Sequence, residues 1–103
     1  MKALPKLDSI LHQPVRTRIV GALVQYGEVS FSDLKSLLDI TDGNLDAHMK
    51  KLFAAGYLHS RVTVKNNAGD ASRSRTLYSL SDSGKEAYGC YLDALRQVID
   101  LAT

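Results

Sequence analysis

The hydrophobic period of the chain changes at Gly56, and that change limits the folds open to it. Before it, Leu45, Met49, Leu52 and Phe53 recur at i, i+4, i+7 and i+8, the stripe of an amphipathic helix. After it, Leu58, Ser60, Val62 and Val64 alternate with His59, Arg61, Thr63 and Lys65, the pattern of a strand with one buried face. Thr41 is a favourable N-cap for the helix, and Asp42 adds negative charge at the positive end of its dipole. Gly56 can end the helix in a left-handed cap. Residues 41 to 56 are thus a helix with defined ends that feeds directly into a strand.

The flanking segments extend the pattern. Residues 1–13 read as an arm with a short helical turn, in which Leu7, Ile10 and Leu11 are spaced to dock on something. Pro14 suits the first turn of a helix, where a missing N–H costs nothing. Val15, Ile19, Ala22, Leu23 and Tyr26 give that helix its apolar side, and Gly27 stops it. Arg16 and Arg18 near its start could reach phosphate or could equally be solvated charges. Glu28 to Phe31 allow one strand-like step. Ser32 is placed to cap a short helix carrying Asp33, Leu34, Leu37 and Leu38, and Asp39-Ile40 connects it tightly to Thr41. A short helix, a brief turn and a second helix have the spacing of a helix-turn-helix, in which the second helix enters the major groove.

Beyond the first strand, residues 66–72 read as a turn of small and polar residues. Arg73 to Leu80 return as a second strand with Thr76, Tyr78 and Leu80 on one side. Ser81 caps a final helix from about Asp82 to Leu101. Along it Tyr88, Leu92, Leu95, Ile99 and Ala102 fall at coiled-coil spacing, with Tyr91 and Val98 beside them. That seam can pack on the chain's own first helix or across a two-fold axis, and its length favours the two-fold axis.

Charge is informative through its distribution. The net charge is only +2, but residues 57–80 hold four basic groups, Arg61, Lys65, Arg73 and Arg75, against the single acid Asp70. This excess suggests a local footprint for a polyanion. A chain of 103 residues makes one domain, with a core modest enough that oligomerisation would help it. The opening Met-Lys-Ala-Leu-Pro lacks an apolar signal region, and one cysteine cannot form an internal disulfide. Both observations suit a cytoplasmic protein.

Three stretches resemble a known family, the compact winged-helix transcriptional regulators allied to the MarR and ArsR groups. Pro14-Val15-Arg16-Thr17-Arg18-Ile19 is similar to that family's opening helix. Leu38 to His48, followed by Leu52, Gly56, Tyr57 and Leu58, is similar to its recognition helix. Arg73-Ser74-Arg75-Thr76 with Tyr78, Leu80, Ser81, Gly84 and Lys85 is similar to the far side of its wing and the following cap. The resemblance implies a mainly α chain with a small β-hairpin (α+β): a winged helix-turn-helix with a long C-terminal helix. Within a single domain over 1–103, the arm is 1–13, the helix-turn-helix 32–56, the wing 57–80 and the dimerisation helix 81–103. It also implies a DNA-binding regulator that forms a homodimer. One departure is Asp46-Ala47, where relatives often carry Ser-Arg. An acid there would repel phosphate, and an arginine contact is lost.

The expected DNA-contacting residues are Thr41, Asn44, Ala47, His48, Lys50 and Lys51 on the helix, with Arg61, Lys65, Arg73 and Arg75 on the wing. The expected dimer interface is Leu7, Ile10, Leu11, Tyr88, Tyr91, Leu92, Leu95, Val98 and Ile99. No metal or cofactor is expected, because His12, His48 and His59 fall in separate elements and no cysteine pair exists. No phosphate loop, nucleophile elbow or His-Glu pairing points to catalysis. Cys90 stands near Glu86 and Asp93, which disfavour a thiolate. Two other readings remain open. One is a winged-helix protein-interaction module without DNA binding, and the other is a regulator with a small-molecule effector in a cleft lined by Tyr88 and Tyr91.

Overall fold

The computed structural model describes residues 3–64 and 74–102. The elements run α1 (Pro14–Tyr26), β1 (Val29–Ser30), α2 (Phe31–Leu38), α3 (Asp42–Ala54), β2 (Leu58–Val64), β3 (Ser74–Leu80) and α4 (Asp82–Ala102). Four helices and a three-stranded antiparallel sheet of order β1-β3-β2 make a winged helix. The expected turn at residues 66–72, together with Lys65 and Arg73, lies outside the described residues.

Each helix begins where a side-chain oxygen can take up an otherwise unpaired first-turn amide. Gln13 accepts from the Arg16 amide at 2.9 Å, Thr41 from Asn44 at 3.2 Å, and Ser81 from Gly84 at 3.0 Å. For α2 the cap is Ser30, which accepts from the Asp33 amide at 3.2 Å, and not the expected Ser32. The reason is non-local. Ser30 pairs with Leu77 in the sheet, which holds it in the extended conformation a cap requires. The helix therefore starts at Phe31, one residue before Ser32. Gly27 ends α1 at φ 82°, its N–H bonded to the Leu23 carbonyl, and Gly56 follows α3 at φ 79°.

The core lies where α1, α2 and α3 meet the base of the sheet. Ile19, Val20, Leu34, Leu45 and Leu52 are fully buried. Three expectations about faces change. On α1 the buried set is Ile19, Val20 and Leu23, and Tyr26 is exposed. On α3 Phe53 sits at the edge of the stripe and meets Tyr78 edge-on, with ring centroids 5.9 Å apart. On β2 only Leu58 is buried, while Val62 and Val64 stand 65% and 60% exposed. The hairpin leaves the body after its first residues, so alternation along β2 continues without a core to face.

The arm is fastened by several side-chain contacts. Asp8 accepts from the Ile10 and Leu11 amides at 2.8 and 3.1 Å, and the Tyr57 hydroxyl donates to its other oxygen at 2.6 Å. Thr17 donates to the Leu11 carbonyl at 2.5 Å, and His12 Nδ1 meets the Tyr91 hydroxyl at 2.9 Å. Leu11 is thereby sealed into the core at 1% exposure. Residues 9–11 form the expected single turn, closed by the bond from the His12 amide to the Asp8 carbonyl at 2.7 Å. Burial pushes the Asp8 carboxyl up, but the hydrogen bonds from Tyr57, Leu11 and Ile10 outweigh it and hold it below 3.8. The same contact with Asp8 raises Tyr57 to about 12. Asp8 thus contributes stability above its unfolded value of 3.8, and loses it as pH falls through the lower folded value. Tyr57 contributes below its unfolded value of 10.0, and loses it as pH rises through about 12. Asp8→Ala is expected to cost about 1.5 kcal/mol, the value of hydrogen bonds to a charged group. It should raise amide exchange in residues 9–13 first. Unchanged protection there would show that the bonds from Thr17, Arg16 and Tyr91 hold the arm without Asp8.

Candidate nucleic-acid interface

Helix α3 divides into a buried and a free side. Leu45, Met49 and Leu52 face the core. Asn44, His48 and Lys51, at i, i+4 and i+7, share one flank, and Ala47 points outward beside them. Asn44, Ala47, Lys50 and Lys51 are exposed, and His48 is half-buried. The Thr41 hydroxyl is engaged in capping the Asn44 amide.

Asp46 does not sit among these residues. Two positions on from Asn44, it is turned about 200° away around the helix. There it pairs with Lys50 at 2.9 Å, an i, i+4 pair in the favoured acid-first order. Both partners are well exposed, so the pair adds little to stability. Its effect is on the surface field, because Asp46 neutralises Lys50 and leaves Lys51 as the unpaired cation of this helix among the described residues. A second pair, Lys35 with Asp42 at 2.9 Å, ties α2 to the start of α3.

The wing cations differ in the same way. Arg61 reaches from β2 across β3 and binds Glu28 through both nitrogens, at 2.5 and 2.7 Å. That contact holds the Glu28 carboxyl below its usual value and raises the Arg61 guanidinium. Glu28 thus neutralises Arg61 and takes up two of its five N–H donors. Arg75 is exposed on β3, opposite Thr63 in the sheet register. Lys65 and Arg73 are among the residues not described.

Arg16 and Arg18 are committed within the protein. Arg18 donates to the Leu38 carbonyl at 3.2 Å, satisfying the C-terminal end of α2. Arg16 donates through Nε to the Ile10 carbonyl at 2.6 Å, and its Nη1 lies 3.3 Å from His48 Nδ1. The sequence placed Arg16 near the start of a helix. Its link to His48, 32 residues away, has no local signature.

The expected interface residues separate into three groups. Leu11 and Tyr91 are buried in the chain's own core, at 1% and 4% exposure. Leu7, Ile10, Tyr88, Leu92 and Leu95 are half-buried and pack against that core. Val98 is half-buried, and Ile99 is exposed near the free end of α4. Among the described residues, no group of three or more His, Cys, Asp or Glu could hold a metal ion. None of the described helices is long and apolar enough to cross a membrane.

This arrangement is a helix-turn-helix with a hairpin wing beside it, and the chain belongs to the winged helix DNA-binding domain family, which it matches over residues 15–99. It is similar to a transcriptional regulator homologue from Pyrococcus horikoshii, at 34% identity and a TM-score of 0.76, over 88% of this chain and 85% of that one. An uncharacterized protein of Methanocaldococcus jannaschii is 29% identical over 89 residues, covering 86% of this chain and 91% of the other. In fold it is also similar to Bacillus subtilis PadR, solved in complex with operator DNA, at 24% identity and a TM-score of 0.62. That likeness covers 78% of this chain and 47% of PadR.

Proposed function

We propose that the chain is a cytoplasmic, DNA-binding transcriptional regulator that acts as a homodimer. In this reading α3 enters the major groove, and the β2–β3 hairpin lies against the backbone or the minor groove. The observation that carries it is the flank of Asn44, His48 and Lys51. It is polar and ends in an unpaired cation, on a helix whose adjacent face, Leu45, Met49 and Leu52, is anchored in the core. The kinship with the Pyrococcus regulator homologue supports the reading, as does the use of the same fold by PadR on operator DNA. The protein-interaction module is the reading it competes with.

Salt titration of binding to specific and random duplexes separates the two. A DNA binder loses affinity linearly in log salt, and an interaction module shows no such binding. Lys51→Ala and Arg75→Ala should each lower the slope by about 0.9 per lost phosphate contact, doubled in a dimer. Lys50→Ala should change it less, because Asp46 already neutralises that charge. Asn44→Ala should cost about 1–3 kcal/mol on the preferred site and little on random DNA, since its amide can pair bidentately with adenine. Equal losses on both duplexes would mean that Asn44 does not meet a base edge.

A further inference from the structure

His48 faces a partner that restricts what it can be. Arg16 Nη1 lies 3.3 Å from His48 Nδ1. A guanidinium carries only donors and stays charged in a protein. The hydrogen bond between these atoms can therefore run one way only. Arg16 donates, Nδ1 accepts, and the imidazole proton resides on Nε2. A protonated ring would instead turn an N–H toward the N–H of a cation.

The surroundings favour the same state. Burial lowers the His48 pKa from 6.5, and the Arg16 charge lowers it further. The charged groups around the ring are Arg16 from α1 and, on its own helix, Lys51 one turn further on. The arm contributes the Ile10 carbonyl, which Arg16 holds through Nε. No carboxylate is paired with His48 among the described residues. Arg16 is itself fixed between the arm and α3, so its direction of donation is set by the fold and not by solvent.

We propose that Arg16 is a positioning residue for DNA reading, holding His48 as the neutral Nε2–H tautomer so that the ring offers the major groove one donor and no acceptor. Such a ring selects an acceptor edge. Guanine presents N7 and O6 there, adenine presents N7 and thymine O4, whereas cytosine presents only the N4 donor. His48 therefore discriminates against cytosine at the position it reaches, beside the adenine available to Asn44. This inference rests on α3 entering the major groove.

The first test needs no DNA. In protein labelled with 15N at histidine, the ring nitrogen shifts distinguish a protonated from a bare nitrogen. His48, assigned through His48→Gln against His12 and His59, should show a bare Nδ1 and a protonated Nε2 at neutral pH, and should titrate below 6.5. Arg16→Met should raise that titration and mix the tautomers, while Arg16→Lys, which keeps a cationic donor, should restore part of the shift. A protonated Nδ1 in the wild-type protein overturns the proposal even if both variants fail to fold. So does an Arg16→Met protein with unchanged His48 shifts and titration.

The second test uses a duplex selected from random DNA, with cytosine placed in turn at each base position of the site. One replacement should weaken the wild-type protein about tenfold, within the range of a base-edge contact, and leave His48→Ala unaffected. If no replacement separates the two proteins, His48 does not read an acceptor edge. If no duplex is bound at all, the proposed function fails and base reading fails with it. The nitrogen shifts would still report the Arg16 link by themselves, so the two failures are distinguishable.

Discussion

Gly84→Ala is expected to destabilise the fold by about 3 kcal/mol, against the direction that helix propensity dictates. Gly84 lies in the first turn of α4, and in an ordinary helix alanine would gain up to about 1 kcal/mol over glycine. Here a Cβ would stand 2.2 Å from the Tyr57 carbonyl oxygen and 3.0 Å from its carbon. Those are backbone atoms, and they cannot retreat freely. The Tyr57 carbonyl accepts from the Ser81 amide at 2.9 Å, and the Ser81 hydroxyl donates to the Gly56 carbonyl at 2.6 Å. Tyr57 also holds Asp8. Moving Tyr57 away would therefore strain the α4 cap, the start of β2 and the arm together. Gly89 is the control. It lies on the exposed side of the same helix with nothing within 4 Å of its Cβ position, so Gly89→Ala should be neutral or stabilising. Urea melts of the two variants decide the matter. Equal stability for both would mean that α4 does not approach Tyr57 as closely as described.

The contrast between local and long-range causes explains what could be read in the sequence. Thr41, Pro14, Gly27, Gly56 and Ser81 mark helix ends through interactions a few residues long, and all five act as read. The change of period at Gly56 correctly places a helix before it and a strand after it. Ser30 and Ser32 could not be separated, because the choice depends on pairing with Leu77, 47 positions later. On α1 Val15, Ile19, Ala22 and Leu23 face the core as read, while the stripe did not say that Val20 would join them or that Tyr26, at the helix end, would be left exposed. Tyr91, and not Tyr88, is the buried tyrosine of α4, because the arm reaches it through His12. On the candidate site, residue type proposed Asn44 and Lys51, and the fold leaves both exposed on α3. It could not reveal that Asp46 silences Lys50, that Glu28 occupies Arg61, or that Arg16 faces His48. A charged side chain carries no mark of which distant partner the fold will bring to it.

Ile99→Asp is expected to split the proposed dimer and weaken operator binding by about 10²–10⁴-fold, while leaving the protomer folded. α4 has 21 residues, about 31 Å of helix at 1.5 Å per residue. Its first turns are tied to the body through Gly84, Tyr91 and the β3 side. Toward the other end the apolar spacing continues, but its burial falls away. Leu95 is half-buried, and Ile99 and Leu101 are both 53% exposed. Leu4 of the arm is exposed as well, at 67%. A single protomer gains nothing from a seam that outruns its own core, whereas a second copy would cover it. The choice of residue matters. Leu92 and Leu95 pack partly against the core, so an aspartate at either would confound loss of association with loss of fold. Ile99 is free of that difficulty, because an aspartate there remains solvated in the monomer. Its charge becomes costly only when a partner helix would bury it. Two recognition helices on one rigid dimer engage half-sites about one helical turn apart, roughly 34 Å, and the second contact is effectively intramolecular. The monomer loses that advantage, and its salt slope should fall to about half. Sedimentation velocity, thermal melting and a salt titration on the same preparation separate these effects. A wild-type protein that sediments as a monomer at tens of micromolar, yet protects a single asymmetric site, would overturn the two-fold reading while leaving α3 as the DNA-reading helix.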